Sequence, residues 1–425
     1  MAKVRAAAAL VFGVVVAVAG RTGAADAAGT TGAGAPGAPD AYGEVLARAA
    51  AALASQAARP EAAAAVAQLA SLDENVPPAA LEAALRPGVA AGADPLVGAQ
   101  AALLLAHLED ERGDHAAAEA RRARLGFLTR AFAIGPFGEG RASFRTAFPP
   151  ESEAAPPALD RRYPGKGHEV GWHAADGVAR EGALLLDGML RPDDQAVAYV
   201  VSFVRSEADR PAALRLGSPG PLAVWVNGRQ VFARDVVRSA ALDQDAAGIR
   251  LGRGWNRILI KTVVVDGAWR LYARLTDPAG RPLAFEQAAT PPAASSRWAR
   301  PRSGPAPQVA SLDGLLTRRA ERAGTAQAWM DLARVLGWLA PRDRESRAPA
   351  AATQRAVAAR PSFEAWVLAA DVADTDDDRR RALESALDVA SQDQRAGATG
   401  NGQNATGASP AARALALVRL AELAR

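Results

Sequence analysis

The chain contains no cysteine. That removes disulfides, thiolate nucleophiles, thiolate metal sites and a lipidated N-terminal cysteine together. Export is not opposed by it. No G-x-S-x-G, P-loop or H-E-x-x-H is present, so the common hydrolase, nucleotide and zinc-protease motifs are missing. Beyond the first 20 residues no segment is long and apolar enough to span a membrane. A basic excess is missing too. The formal net charge is +4, and removing residues 1–27 takes away three bases and one acid to leave +2. Acids and bases alternate along the remainder, which is no footprint for a phosphate backbone, so no nucleic-acid partner is expected. Arginine outnumbers lysine heavily, a mark of a GC-rich genome rather than of a polyanion binder.

What is there is length and alanine. The 425 residues suffice for two to four domains with real cores. Hydrophobic content is 49%, and much of it is alanine, which favours helix while burying little area per residue. The amino terminus has two positive charges in Met1–Arg5, an apolar run Ala6–Gly20 and small residues to Ala25-Asp26-Ala27. This is the plan of a secretory signal peptide over 1–27, cleaved after about Ala27. An uncleaved anchor is the alternative, although the run is shorter than the ~20 residues of a spanning helix. The expected address is periplasmic or secreted, with no membrane span once the signal is removed.

Residues 28–40 are a Gly/Ala/Pro linker. Over 41–130, apolar residues recur at helical spacing, punctuated by Pro77-Pro78, Pro87-Gly88 and Pro95, which predicts paired antiparallel helices. The clearest pair is Leu96–Glu111 and His115–Leu125 around Arg112-Gly113-Asp114. Alanines 101, 116, 117 and 118 permit close approach of the two. Over 131–290 glycine, proline, aromatics and valine rise and period-two alternation appears. Tyr199, Val201 and Phe203 fall on one strand face. Val224-Trp225-Val226-Asn227-Gly228, followed by Val231-Phe232, is a hairpin signal, because both central residues of a type I′ turn need φ > 0. Residues 291–308 read as a second linker. Residues 309–425 are helical again, led by Trp329 and Trp366 and interrupted by a polar, disordered loop at 391–410, with a helix predicted over Arg379–Ala390. The fold class expected is therefore α+β and multidomain, with α-helical arms flanking a central antiparallel β-sandwich.

The order Ile134-Gly135-Pro136-Phe137, Gly171-Trp172, Leu214-Arg215-Leu216-Gly217-Ser218, Val224–Gly228, Asp243-Gln244-Asp245, Gly254-Trp255-Asn256-Arg257 and Trp269–Leu275 resembles the galactose-binding-like jelly-roll module of exported bacterial tetratricopeptide proteins. In some of these a transglutaminase-like domain follows. The resemblance covers roughly 131–285 and implies a jelly-roll sandwich that is often a non-catalytic accessory or sugar-binding module. It also makes the flanking helices tetratricopeptide-like, the pairs after residue 309 fitting better than those before 130. Two departures stand out. Pro219-Gly220-Pro221 follows the Gly-Ser pair where relatives often carry acids, and the transglutaminase-like part is missing.

Candidate chemistry is sparse. His107, Glu109, Asp110, Glu111, Asp114 and His115 crowd one helix end, but the Gly113-Asp114 turn breaks the Glu111/His115 register and favours a solvated helix end over a metal site. Asp374, Asp376, Asp377 and Asp378 lack the glycine and glutamate of a calcium loop, since Arg379 and Ser385 stand there. They read as acids at a helix start. His168 and His173, near Asp160, Glu169 and Asp176, read as a loop entering a strand. No cofactor or metal is expected. Trp255 and Trp269 read as core, and Trp225 less clearly so, because Val224 and Val226 form the core pair of that strand.

The function read from this is an exported, non-catalytic interaction or scaffold protein binding a protein or peptide through helical surfaces. The alternative is a carbohydrate-binding module for envelope or extracellular glycan, with Trp225, Asn227, Asp243 and Asp245 as ligand-binding residues. A further alternative is an accessory part of a hydrolase or transglutaminase-like system, for which no catalytic residues are named.

Overall fold

The computed structural model describes residues 41–55, 59–152, 159–293, 295–300, 304–340, 346–398 and 408–423. The signal peptide and linker expected over 1–40 lie outside these residues. Helices α1 (Ala41–Ala54), α2 (Arg59–Ala70), α3 (Pro78–Leu85), α4 (Pro95–Glu111) and α5 (His115–Ala123) come first. Strands follow as β1 (Phe132–Phe137), β2 (Arg162–Pro164), β3 (Glu169–Gly171), β4 (His173–Ala174), β5 (Ala179–Arg180), β6 (Ala183–Leu185) and β7 (Ala196–Ser206). The series continues with β8 (Arg210–Gly217), β9 (Leu222–Val226), β10 (Arg229–Arg234), β11 (Asp245–Leu251), β12 (Gly254–Val264), β13 (Arg270–Thr276) and β14 (Glu286–Gln287). Helices α6 (Leu312–Ala323), α7 (Ala326–Leu339), α8 (Ala348–Ala359), α9 (Phe363–Asp371), α10 (Asp376–Ala398) and α11 (Pro410–Glu422) complete it. The class is α+β with antiparallel sheets. The chain forms two compact units. Among the described residues, one comprises those up to Pro87, Leu316–Arg334 and those from Arg347; the other comprises those of Gly88–Leu315 and Val335–Ser346. Residue 130 thus marks the change from helix to strand, while the unit boundary falls at 87/88.

In the second unit one sheet runs β10-β9-β12-β7-β1-β4, with β14 also on β7, and another runs β11-β8-β13-β6-β5. A single core joins them. It takes Val200, Val204, Val224, Val226, Ile258 and Ile260 from the first and Leu214, Leu216, Ile249, Leu271 and Leu275 from the second, with Trp269 fully buried among them. Strand alternation sends Tyr199, Val201, Phe203, Leu259 and Val263 to the opposite face of the first sheet, where a second cluster covers them. The first sheet is therefore buried on both faces, and β7 shows one exposed residue in its 11. Trp255, expected in the core, is half-buried at the rim of this outer cluster.

The β9–β10 hairpin closes through Asn227 and Gly228 at φ of 52° and 83°, pairing Val226 with Arg229 across the two-residue loop. Helices α4 and α5 form the expected hairpin. Asp94 caps α4 by accepting from the amides of Leu96 and Val97 (3.0 and 3.2 Å), Asp114 caps α5, and Gly113 turns at φ 88°. Ala101 and Ala118 are fully buried, whereas Ala116 is exposed. The hairpin docks Ala99 and Ala102 onto Ala183 and Tyr272 of the second sheet, with Phe127 in the same cluster. Just beyond it, residues 126–128 extend that sheet, with Leu128 N–H donating to Ala273 O (2.8 Å) and Leu275 N–H to Gly126 O (2.9 Å).

Within the expected linker at 291–308, the described residues 297–299 and Pro307 instead lie against the sheets. Strand β9 pairs with β12 only at 258–262, which leaves the Trp255 backbone without a strand partner on that side. Residues 297–299 fill the vacancy: Trp255 N–H donates to Arg297 O (2.9 Å) and Ala299 N–H to Trp255 O (2.8 Å). Trp298 then meets Phe203 edge-on at 5.8 Å.

In the first unit α8–α11 pack in succession, and α1 lies against α11. Phe363, Ala370, Leu383, Ala386, Ala390 and Ala416 form the core, with Trp366 packed against it. Ser362 and Ser409 cap α9 and α11 through Ala365 and Ala412 (3.2 Å each). The Arg355 guanidinium stacks 4.7 Å from the Trp329 ring, and Arg48 pairs with Glu364. Helices from early and late in the sequence thus share this unit. The expected loop at 391–410 needs correction. Helix α10 continues to Ala398, because Gln, Arg and Ala are adequate helix formers and a polar face suits solvent. Residues 399–407 lie outside the described set. The helix also begins at Asp376 rather than Arg379.

Two glycines separate conformational strain from steric strain. Around Gly228 nothing lies within 4 Å of a built Cβ, so Gly228→Ala meets only the positive φ. Its expected cost is about 1–2 kcal/mol in denaturant unfolding, with no local loosening. At Gly248 a Cβ would stand 2.0 Å from Pro307 O. Gly248→Ala is expected to displace the segment around Pro307 and expose it to limited proteolysis while the sheets stay folded.

Candidate functional site

Strand β12 places two cations on the outer face of the first sheet. Lys261, only 2% exposed, donates to Thr146 O (2.6 Å) and to Glu151 Oε1 (2.9 Å). Its ammonium also lies 5.4–5.9 Å from the ring centres of Phe144, Phe148 and Tyr199. The aromatic faces and the carboxylate compensate an ammonium that burial would otherwise make costly. Desolvation still dominates and holds its pKa below the usual lysine value, with Glu151 opposing. Arg257 donates to Pro150 O (2.9 Å). The Tyr199 hydroxyl donates to Glu151 Oε1, and burial first, then Glu151, pushes the phenol above its ordinary value. Both cations thereby tie the connection between β1 and β2 over the sheet.

Between this connection and the β9–β10 hairpin lies a cavity of about 430 Å³. Trp225 stands half-buried in its wall, on the face opposite Val224 and Val226. The rest of the lining is mostly polar, with Arg145, Glu151, Gln230, Asp235 and Lys261 around the indole. Asp235 pairs with Arg141 (2.7 Å). Such a wall offers an aromatic surface with hydrogen-bonding groups beside it, which suits a small polar ligand. Glu151 and Lys261 satisfy each other, so neither stands as a free acid or base. A second cavity of about 460 Å³ is walled by the segment 88–94 together with small residues of α4 and α5, such as Gly98, Ala99, Ala102, Ala117 and Ala120.

Of the four ligand-binding candidates from sequence, Trp225 alone lines the 430 Å³ cavity. Asn227 ties the hairpin to β12: its Nδ2 donates to Asn256 Oδ1 and its Oδ1 accepts from Arg257 N–H, both at 2.9 Å. Asp243 is buried, at φ 58°, and receives Nε and Nη2 of the fully buried Arg274. Asp245 is buried between Arg234 and Arg238, and only through Arg234 does it reach the cavity. Sequence reasoning missed Lys261, Glu151 and Arg145. Lys261 left a signal, a charge alternating with Leu259 and Val263 on an apolar strand face. Glu151 lies 110 residues away and left none.

The histidine candidates separate. His107 approaches Glu111 (3.5 Å) and His115 meets Asp110 (3.0 Å), each near the solvated end of the α4–α5 hairpin. His168 and His173 are exposed. Asp376, Asp377 and Asp378 lie in the first turn of α10 and pair with Arg379, Arg380 and Arg381 three residues on.

Two outcomes follow from these buried groups. Arg274→Met strands the Asp243 carboxylate and is expected to lower unfolding free energy by about 3–5 kcal/mol, with Asp243→Asn added to it restoring part. Denaturant titration reads both. Tyr199 and Tyr272 both have ionisations raised, first by burial. The native state therefore keeps protons that the unfolded chain loses above the ordinary tyrosine value of about 10, and stability falls as pH rises past it. In an alkaline titration, the phenolate absorbance of these two of the four tyrosines is expected only with unfolding, and Tyr199→Phe removes one share.

No family profile matches the chain, and no curated protein matches it. Among solved structures, an α-xylosidase of family GH31 from Xanthomonas citri is similar at 9% identity and TM-score 0.21, covering 37% of this chain and 16% of that one. Two β-glucosidase structures from Kluyveromyces marxianus, one in complex with glucose, are similar at 10% identity and TM-score 0.23, covering 54% of this chain and 23% of theirs. The chain thus spans less than a quarter of those enzymes, and at such TM-scores the likeness carries no argument about fold or activity.

Proposed function

We propose that the chain is an exported, non-catalytic binding protein whose β unit is a galactose-binding-like jelly roll that takes a carbohydrate beside Trp225. One observation carries this reading. Trp225 is a half-buried indole in the wall of a cavity whose remaining lining is mostly polar, while its strand neighbours Val224 and Val226 supply the core. An aromatic face with adjacent donors and acceptors matches the amphipathic faces of a sugar ring. The non-catalytic part of the reading is supported by the mutual satisfaction of Glu151, Tyr199 and Lys261. Export, to the periplasm or outside the cell, rests on residues 1–27.

A second reading, binding of a protein or peptide by the helices, is favoured by α11, which exposes Leu417 (54%) and Val418 (49%) to solvent. The helical pairs would then act as tetratricopeptide-like repeats.

The test is binding of the full chain to a panel of envelope and extracellular polysaccharides, with Trp225→Ala as the variant. Saturable binding that weakens about tenfold or more in a folded Trp225→Ala chain supports the carbohydrate reading. Binding that the substitution leaves unchanged moves the site elsewhere. No binding across the panel sinks the reading and leaves the helical surface, to be probed by Leu417→Ser in partner capture.

A further inference from the structure

The charges around the Trp225 cavity do not balance. Lys261 is answered by Glu151 and Asp235 by Arg141, while the single carboxylate of Asp245 is shared by Arg234 and Arg238. Arg145, exposed on the connection between β1 and β2, lines the cavity. Among the described residues it has no ion-pair or hydrogen-bond partner. The cavity and its direct ion partners therefore carry two more cations than carboxylates.

We propose that the Trp225 cavity takes a saccharide bearing an anionic group, with the Arg145 guanidinium as the group that receives the anion. The proposal rests on the reading of this cavity as a carbohydrate site. A guanidinium presents a rigid fork of donors that matches the paired oxygens of a carboxylate, sulfate or phosphate, and an unpaired one loses no existing partner on binding. Lys261 cannot serve that role, because its ammonium is already held by Glu151 and Thr146 O under three aromatic rings. Arg234 is likewise drawn inward to Asp245. Trp225 and Arg145 line the same cavity, so one sugar ring can stack on the indole while its acidic substituent meets the fork. The cavity volume of about 430 Å³ falls within the about 300–1,000 Å³ typical of small-molecule sites.

The experiment is calorimetric titration of the full chain with three probes. These are a galacturonate oligosaccharide, its carboxyl-reduced neutral counterpart and a sulfated galactose oligosaccharide. The expected result is that at least one anionic probe binds about tenfold tighter than the neutral one, with a preference that shrinks as salt is raised. The better anionic probe identifies the oxyanion. Arg145→Ala is expected to bring the affinity for the anionic probe down to that for the neutral one, and Arg145→Lys to keep part of the preference. Equal affinity for neutral and anionic probes, lost in Trp225→Ala, overturns the anion proposal and leaves the carbohydrate site standing. A preference that survives Arg145→Ala overturns the role of that residue. If none of the three probes binds the folded chain, the anion proposal falls, while the carbohydrate reading beneath it stands or falls on the polysaccharide panel.

Discussion

Strand β12 carries Arg257 and Lys261 into the middle of a sheet face that is almost wholly closed to water. Neither charge can remain there without partners, because desolvating an unpaired cation costs several kcal/mol. One stretch of chain supplies partners to both. Thr146 O and Glu151 take Lys261, and Pro150 O takes Arg257. The need to satisfy the donors of two buried cations, one of them by a carboxylate, thus pins the connection between β1 and β2 across the sheet. That connection in turn brings Phe144 and Phe148 over the apolar face and sets Arg145 at the margin. The cavity beside Trp225 is the space left between this pinned cover and the β9–β10 hairpin.

The same logic governs the opposite edge of the sheet. Strand β9 is shorter than β12, so the Trp255 backbone is completed by Arg297 and Ala299 from a Pro- and Ser-rich stretch that has little composition of its own to order it. Trp298 reinforces the contact by burying its edge on Phe203. Glycine makes the close approaches possible where backbone meets backbone, as at Gly248 beneath Pro307. In the second sheet Arg274 is the counterpart of Lys261. It is fully buried, paired with Asp243 and also bonded to Leu125 O (3.2 Å) at the end of the helical hairpin. Buried charges here fix which loop lies on which strand.

Much of the local structure is legible in the residues. The α4–α5 hairpin follows from Pro95, Gly113 and Asp114, each of which has a specific role in a helix cap or turn. The β9–β10 turn follows from Asn-Gly, and the opposite burial of Trp225 and its valine neighbours follows from period-two alternation. Less legible was the cavity. Of the residues proposed from sequence, Asp243, Asp245 and Asn227 are polar groups beside glycine or turn positions. Their side chains are spent on Arg274, on Arg234 and Arg238, and on Asn256 and the Arg257 amide. A polar residue in a loop-rich β region looks the same in sequence whether it greets a ligand or satisfies a neighbour.

By itself the sequence determined periodicity, turn chemistry and capping, because these depend on residues within a few positions of one another. It determined the mixed α and β class for the same reason. The tertiary structure decided which charge answers which, as with Lys261 and Glu151, 110 residues apart. It also decided that the stretch around Trp298 becomes part of the sheet edge, and that Arg145 stands without a partner among the described residues while its cationic neighbours are engaged. Those outcomes depend on desolvation and close packing between distant segments, and neither has any expression in local sequence.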